Sequence, residues 1–245
     1  MILLIVGIQM AIVVMLQFPY VQTSIIEKIT DKISEKIDGK ISIDKVYILF
    51  FNKVILSNVS IVSTQQNQLL DSLKKHYNHT DTLLHCKKLS LTFAPSDLAK
   101  LNIRIKKIAL EKGQFNLFTE KERYSNLDRI FKRDKNRIKD TTKKLDLKMF
   151  ATALKLSDFK FRLNNPLKQT FKGDSIINFA DLDISNIYVD INNVKLEEDT
   201  LYATVQNIKG TDKSGFKLNA LNGNLKIWNK EALITDLVIK DAYST

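Results

Sequence analysis

The stretch ISIDKVYI, residues 41–48, places its apolar side chains at Ile41, Ile43, Val46 and Ile48, with spacings of two, three and two. A strand with one buried face alternates strictly, and a helix steps by three and four. This pattern does neither, and it recurs. VILSNVSI gives Val54, Leu56, Val59 and Ile61, and IRIKKIAL gives Ile103, Ile105, Ile108 and Leu110. LKLSDFKF gives Leu154, Leu156, Phe159 and Phe161, and LDISNIYV gives Leu182, Ile184, Ile187 and Val189. ALITDLVI gives Ala232, Ile234, Leu237 and Ile239. Each module holds a polar pair at its centre: Asp44-Lys45, Ser57-Asn58, Lys106-Lys107, Ser157-Asp158, Ser185-Asn186 and Thr235-Asp236.

One extra residue in a strand returns the apolar set to the same face after the slip, and it bends and twists the strand. Two short strands joined by a tight polar turn give the same spacing. Either geometry makes a β-rich chain with one oily face, and the repetition predicts a modular sheet.

Two helical patterns precede the first module. MILLIVGIQMAIVVMLQF, residues 1–18, carries no charge, and the first charged residue is Glu27. As a helix it would span ~27 Å, close to the ~30 Å hydrocarbon core of a bilayer. Ile2, Leu3, Leu4, Ile5, Val6, Ile12, Val13, Val14, Leu16 and Phe18 would form this anchor, with Tyr20 at the interface. The basic start and small-residue cleavage site of a signal peptide are absent, which predicts an uncleaved anchor over 1–22. TSIIEKITDKISEKIDGK follows, with a Ser24/Glu27 capping box, a Gly39 stop, and Ile25, Ile29, Ile33 and Ile37 along one face. That predicts an amphipathic helix over 23–39 capping the end of the sheet.

Composition narrows the picture. With 245 residues and 44% hydrophobic content the chain can bury a sizeable surface. Its 7 Gly and 3 Pro are sparse for tight hairpins, which favours long strands with Asn, Asp, Ser and Lys in the turns. A lone cysteine, Cys86, excludes an intrachain disulfide and a cysteine-rich metal site. Lys and Arg number 38 against 27 Asp and Glu, a net charge of +11, a balance suited to nucleic acid or anionic lipid. The excess centres on RIFKRDKNRIKDTTKKLDLK, residues 129–148, which reads as a solvated helix end and a linker. No stacking platform or nucleic-acid motif accompanies it. The expected organisation is a first β segment over 40–133, a basic linker over 134–146 and a second β segment over 147–245.

Candidate chemistry is thin. His76, His79, His85 and Cys86 are zinc ligands by type, but adjacent strand residues such as His85 and Cys86 point to opposite faces. No metal site is expected. Phosphate loops, nucleophile elbows and paired-carboxylate motifs are absent from the sequence, so neither catalysis nor a cofactor is expected.

The order of anchor, isoleucine-striped helix and first modules, QFPYVQTSIIEKITDKISEKIDGKISIDKVYILFFNKVILSNVSI (17–61), resembles the N-terminal region of the TamB-like branch of the AsmA-like proteins of diderm bacteria. DTLLHCKKLSLTF, SDLAK, IRIKKIALEKGQFNLF, SNLDRIF, DTTKKLDL and LKLSDFKFRLNNP are similar to the same family, and STQQNQLLDSLKKHYNH (63–79) departs from it as an insertion. The resemblance implies a mainly β protein: a single-pass inner-membrane anchor, then an elongated, curved antiparallel sheet in the periplasm with a few short helices. Its groove would hold phospholipid acyl chains between inner and outer membranes and support outer-membrane biogenesis. A C-terminal region beyond residue 245 would meet an outer-membrane assembly barrel of the BamA/TamA type. Candidate groove residues are Ile103, Ile105, Phe115, Leu117, Leu156, Phe159, Phe161, Ile187 and Val189. The alternatives are a scaffold for outer-membrane protein assembly without a lipid conduit, and a basic-surface binder of nucleic acid or anionic membrane. No nucleic-acid partner is expected on the favoured reading.

Overall fold

The structure, a computed structural model, describes Phe18, Tyr20 and residues 39–49, 52–63, 82–94, 105–119, 125–130, 151–165, 177–229 and 231–241. The strands are β1 (Gly39–Ser42), β2 (Lys45–Leu49), β3 (Lys53–Ser63), β4 (Thr82–Phe93), β5 (Ile105–Phe118), β6 (Ala153–Asn164), β7 (Asp181–Glu197), β8 (Thr200–Asp212), β9 (Lys217–Trp228) and β10 (Glu231–Asp241). Among the described residues a short helix, α1 (Asn126–Ile130), lies between β5 and β6. All the strands join one large, curved, open sheet in the order β1-β3-β4-β5-β6-β7-β8-β9-β10, with β2 also paired to β3.

The spacing of two, three and two is resolved in two ways. ISIDKVYI is a broken edge strand: β1 and β2 pair with opposite halves of β3, and the Asp44 amide between them donates to the Ser57 carbonyl at 3.0 Å. VILSNVSI, LKLSDFKF, LDISNIYV and ALITDLVI each stay one continuous strand, in β3, β6, β7 and β10. In each the second residue of the polar pair is left-handed: Asn58 (φ 49°), Asp158 (52°), Asn186 (53°) and Asp236 (53°). Asn and Asp tolerate this region because their short side chains bond locally, and one such residue inside a strand makes a bulge.

IRIKKIAL behaves alike by register. Thr92 faces Lys107 while Phe93 faces Ile105, so the slip at Lys106 keeps Ile105 and Ile108 on one face. Ile103 lies outside the described residues. Further bulges were not anticipated: two carry a left-handed residue, Lys112 in β5 and Asn193 in β7, both with φ 52°, and the register also slips at Leu83 in β4 and Gln206 in β8. The first belongs to Ile108, Leu110, Gly113 and Phe115, where glycine stands in an apolar position and hides the pattern. Cys86 hides another in β4, formed by Leu84, Cys86, Leu89 and Leu91.

The expectation of a wholly antiparallel sheet needs one correction. β5 and β6 run parallel, with Ile108 beside Leu154, Phe115 beside Phe161 and Leu117 beside Leu163. Parallel neighbours need a crossover of a dozen or more residues, where antiparallel ones need only a turn. Residues 119–152 make that crossover and include α1. Ser125 and Asp128 cap α1 reciprocally: the Ser125 hydroxyl donates to Asp128 Oδ2 at 2.7 Å and accepts from the Asp128 amide at 3.1 Å. Asn126, buried, ties the helix to β5 by accepting from the Phe118 amide (3.1 Å) and donating to the Asn116 carbonyl (2.8 Å).

The expected anchor and amphipathic helix lie outside the described residues, apart from exposed Phe18 and Tyr20 and buried Gly39. Gly39, expected as a helix stop, opens β1 instead. Among the described residues no helix is long and apolar enough to cross a membrane.

Candidate functional site

Because paired residues on neighbouring strands share a face, the register converts the modules into rows running across the sheet. One row passes from Val46 to Leu56, Leu89 and Leu110 across β2 to β5. It continues through Leu156, Val189, Ile208, Leu221 and Ile239 across β6 to β10 without a polar interruption. Strands ~4.8 Å apart make this row about 38 Å long.

On the other side of the bulges runs a shorter and better buried row: Val59, Cys86, Gly113, Phe159 and Ile187. Val59, Cys86, Phe159 and Ile187 are all buried, Cys86 completely. Burial pushes the Cys86 thiol pKa up, partly offset by a backbone hydrogen bond at Val59. Gly113 is required here. A Cβ on it would lie 2.6 Å from the His85 carbonyl oxygen and 2.7 Å from Cys86 Cβ, and against the Phe159 ring. The next row holds Ile61, Leu84, Phe115, Phe161 and Ile184, with the Phe115 and Phe161 rings stacked at 6.1 Å and 9°.

That row ends at Asp212, opposite Ile184. Burial alone would raise the Asp212 carboxyl. Hydrogen bonds from Ser214 and from the Asp183 and Lys213 amides outweigh it and hold the pKa below the usual aspartate value. The Ser214 amide lies 2.9 Å from its Oδ2.

Charged residues occupy the opposite side of the sheet. Arg162 pairs with Asp183 at 3.0 Å, Lys155 with Asp190 at 3.7 Å, and Lys213 with Asp181. Lys160 and Arg162, which flank Phe161, are exposed, as alternation requires. His85 is exposed while its neighbour Cys86 is buried, and His76 and His79 lie outside the described residues.

The sequence-chosen residues therefore fall in three strands of a wider surface. Ile105, Phe115 and Leu117 are in β5, Leu156, Phe159 and Phe161 in β6, and Ile187 and Val189 in β7. The groove candidates left out Val46, Leu56, Leu110 and Ile239, though each stands in a module, and Leu89, Ile208 and Leu221, which the modules did not include; all join the long row through strand pairing. Admitting Cys and Gly as apolar positions would have flagged β4 and the second module of β5.

One row of the sheet is apolar throughout, from Val46 to Ile239, while the Ile61–Ile184 row stops at the buried Asp212. The AsmA family model matches residues 1–214. The chain belongs to the AsmA family. Membership suggests a role in outer-membrane assembly or lipid transport. No curated protein matches the chain.

Proposed function

We propose that this AsmA-family chain carries phospholipid acyl chains along the apolar face of its sheet, between the inner and outer membranes. On this reading residues 1–22 anchor it in the inner membrane, the sheet lies in the periplasm, and no catalytic step occurs. The observation that supports it most is the unbroken row from Val46 to Ile239. At about 38 Å it exceeds twice the ~15 Å depth of one leaflet of a ~30 Å hydrocarbon core. An acyl chain can therefore move along it without meeting a polar group. Each methylene kept from water is worth ~0.8 kcal/mol, so a continuous apolar path lowers the cost of crossing an aqueous space. Charged headgroups stay in water near the open edge of the sheet.

A photo-reactive amino acid at Phe161 should crosslink phospholipid, and one at Lys160 or Arg162 should not. Phe161→Glu should abolish lipid transport while the chain remains folded, because a carboxylate in the row must be desolvated at several kcal/mol or stay wet. Absence of a lipid adduct at both Phe161 and Ile239 would overturn the proposal.

A further inference from the structure

Beyond lipid carriage, and independent of it, we propose that a cleft over β7, β8 and β9 binds a neutral pyranose unit of a saccharide. The cleft has a volume of about 300 Å3 and is lined by Asn193, Lys195, Glu197, Tyr202, Thr204 and Asn224. Alternation along β8 turns Tyr202 and Thr204 away from the buried Ala203 and Val205, so the cleft opens on the face opposite the apolar row. All three strands have neighbours on both sides, which places the cleft in the body of the sheet. Its size is at the lower end of the ~300–1,000 Å3 of small-molecule sites and suits a mono- or disaccharide.

The lining sets the class of ligand by elimination. Lys195 and Glu197 are exposed, and among the described residues neither joins an ion pair. A small anion would meet the Glu197 carboxylate, and a cation would meet the Lys195 ammonium. A purely apolar ligand would strip water from both charges and from the amides beside them. A neutral ring bearing hydroxyls suits every one of these groups, because each hydroxyl both donates and accepts. The amides are already oriented. Asn224 Nδ2 donates to Asp236 Oδ2 at 2.9 Å, which turns its Oδ1 toward Thr204 Oγ1 at 3.4 Å, and Asn193 Nδ2 donates to Thr204 Oγ1 at 3.5 Å.

Tyr202 supplies the apolar half of the recognition. The faces of a pyranose are C–H bonds, which pack on the negative face of an aromatic ring. In register Tyr202 stands between Lys195 on β7 and Lys226 on β9. Lys226 Nζ lies 5.6 Å from the Tyr202 ring centre and 5.0 Å from that of Trp228, so cation–π contacts steady the phenol from the β9 side. Toward β7 the ring borders the cleft.

The test titrates the full chain, in a detergent without a sugar headgroup, with maltose, lactose and chitobiose as probes. Trp228, the one tryptophan of the chain, touches Lys226 beside the cleft and reports through its emission. At least one disaccharide should shift that emission saturably, and inorganic phosphate at the same concentration should not. Tyr202→Ala should weaken binding about tenfold while Tyr202→Phe leaves it nearly intact, as stacking requires. Glu197→Ala should weaken it about fivefold through lost hydrogen bonds. If Tyr202→Ala lowers the urea midpoint, Glu197→Ala, at an exposed position, carries the comparison alone. No saturable response to any of the three probes overturns the proposal. So does an equal response to phosphate, which would mark an anion site at Lys195 and Lys226, or a response that survives Glu197→Ala unchanged.

Discussion

LKLSDFKF in β6 and ALITDLVI in β10 share one pattern: four apolar positions around a polar pair that ends in aspartate. Asp158 and Asp236 adopt the same left-handed backbone, φ 52° and 53°. Yet Phe159, just past the first bulge, is 4% exposed, and Leu237, just past the second, is 45% exposed. β6 lies between β5 and β7, whereas β10 has β9 on one side only among the described residues. The bulge is thus a local property of the pair, and burial is a property of the neighbours. Two strands with one design serve one as core and the other as margin.

Truncation should separate the two strands most sharply. Phe159→Ala should cost about 3–5 kcal/mol, since the cavity opens against Gly113 and Ile187. Leu237→Ala should cost under ~1 kcal/mol, since the side chain gives up little burial. Urea denaturation of both variants measures the contrast, and equal losses would break it.

Adding volume to the buried row comes next. Gly113→Ala should destabilise by about 1–3 kcal/mol, because the new methyl meets backbone and side chain on both neighbouring strands. Phe159→Leu in the same chain should recover part of the loss by removing the ring. No recovery would locate the strain at the His85 carbonyl instead.

The local term should be common to both strands. Asp158→Ala and Asp236→Ala should each lose about 1–2 kcal/mol, the cost of a residue less suited to the left-handed region, and Asp236→Ala also gives up the bond its carboxylate accepts from Asn224 Nδ2 at 2.9 Å. Replacement by Gly should be milder at both sites. A large difference between the strands would show that the bulge, too, depends on its surroundings.

The smallest effect concerns pH. The Asp212 pKa is depressed in the folded chain, so its stabilising contribution is present above the unfolded aspartate value of ~3.9 and is lost as pH falls through the folded value. Asp212→Asn should flatten that part of the acid limb of stability. An unchanged acid limb would count against the hydrogen bonds at the end of the Ile184 row.

How much of this was legible can be read from particular residues. The polar pairs Ser57-Asn58, Ser157-Asp158, Ser185-Asn186 and Thr235-Asp236 announced their bulges because the apolar spacing slipped around a residue type that accepts positive φ. Lys112 gave no such sign, since lysine has no preference for that backbone and the adjacent Gly113 breaks the apolar count. Phe159 with Phe161, and Ile187 with Val189, were each identifiable as sharing a face from alternation alone. Their partners were not, because which strand lies beside which depends on contacts between residues far apart in sequence.

The sequence alone therefore determined the two-three-two modules, the bulges at Asn58, Asp158, Asn186 and Asp236, and the side of each such strand that is apolar, all set by backbone sterics and side-chain alternation within a few residues. Only the tertiary structure decided that β5 and β6 run parallel across the 119–152 crossover, and that separate modules align into one row from Val46 to Ile239. It also decided that β10, built like the strands at the centre, has β9 as its one neighbour among the described residues. The physical reason is that hydrogen-bond register links strands whose positions along the chain carry no mark of one another.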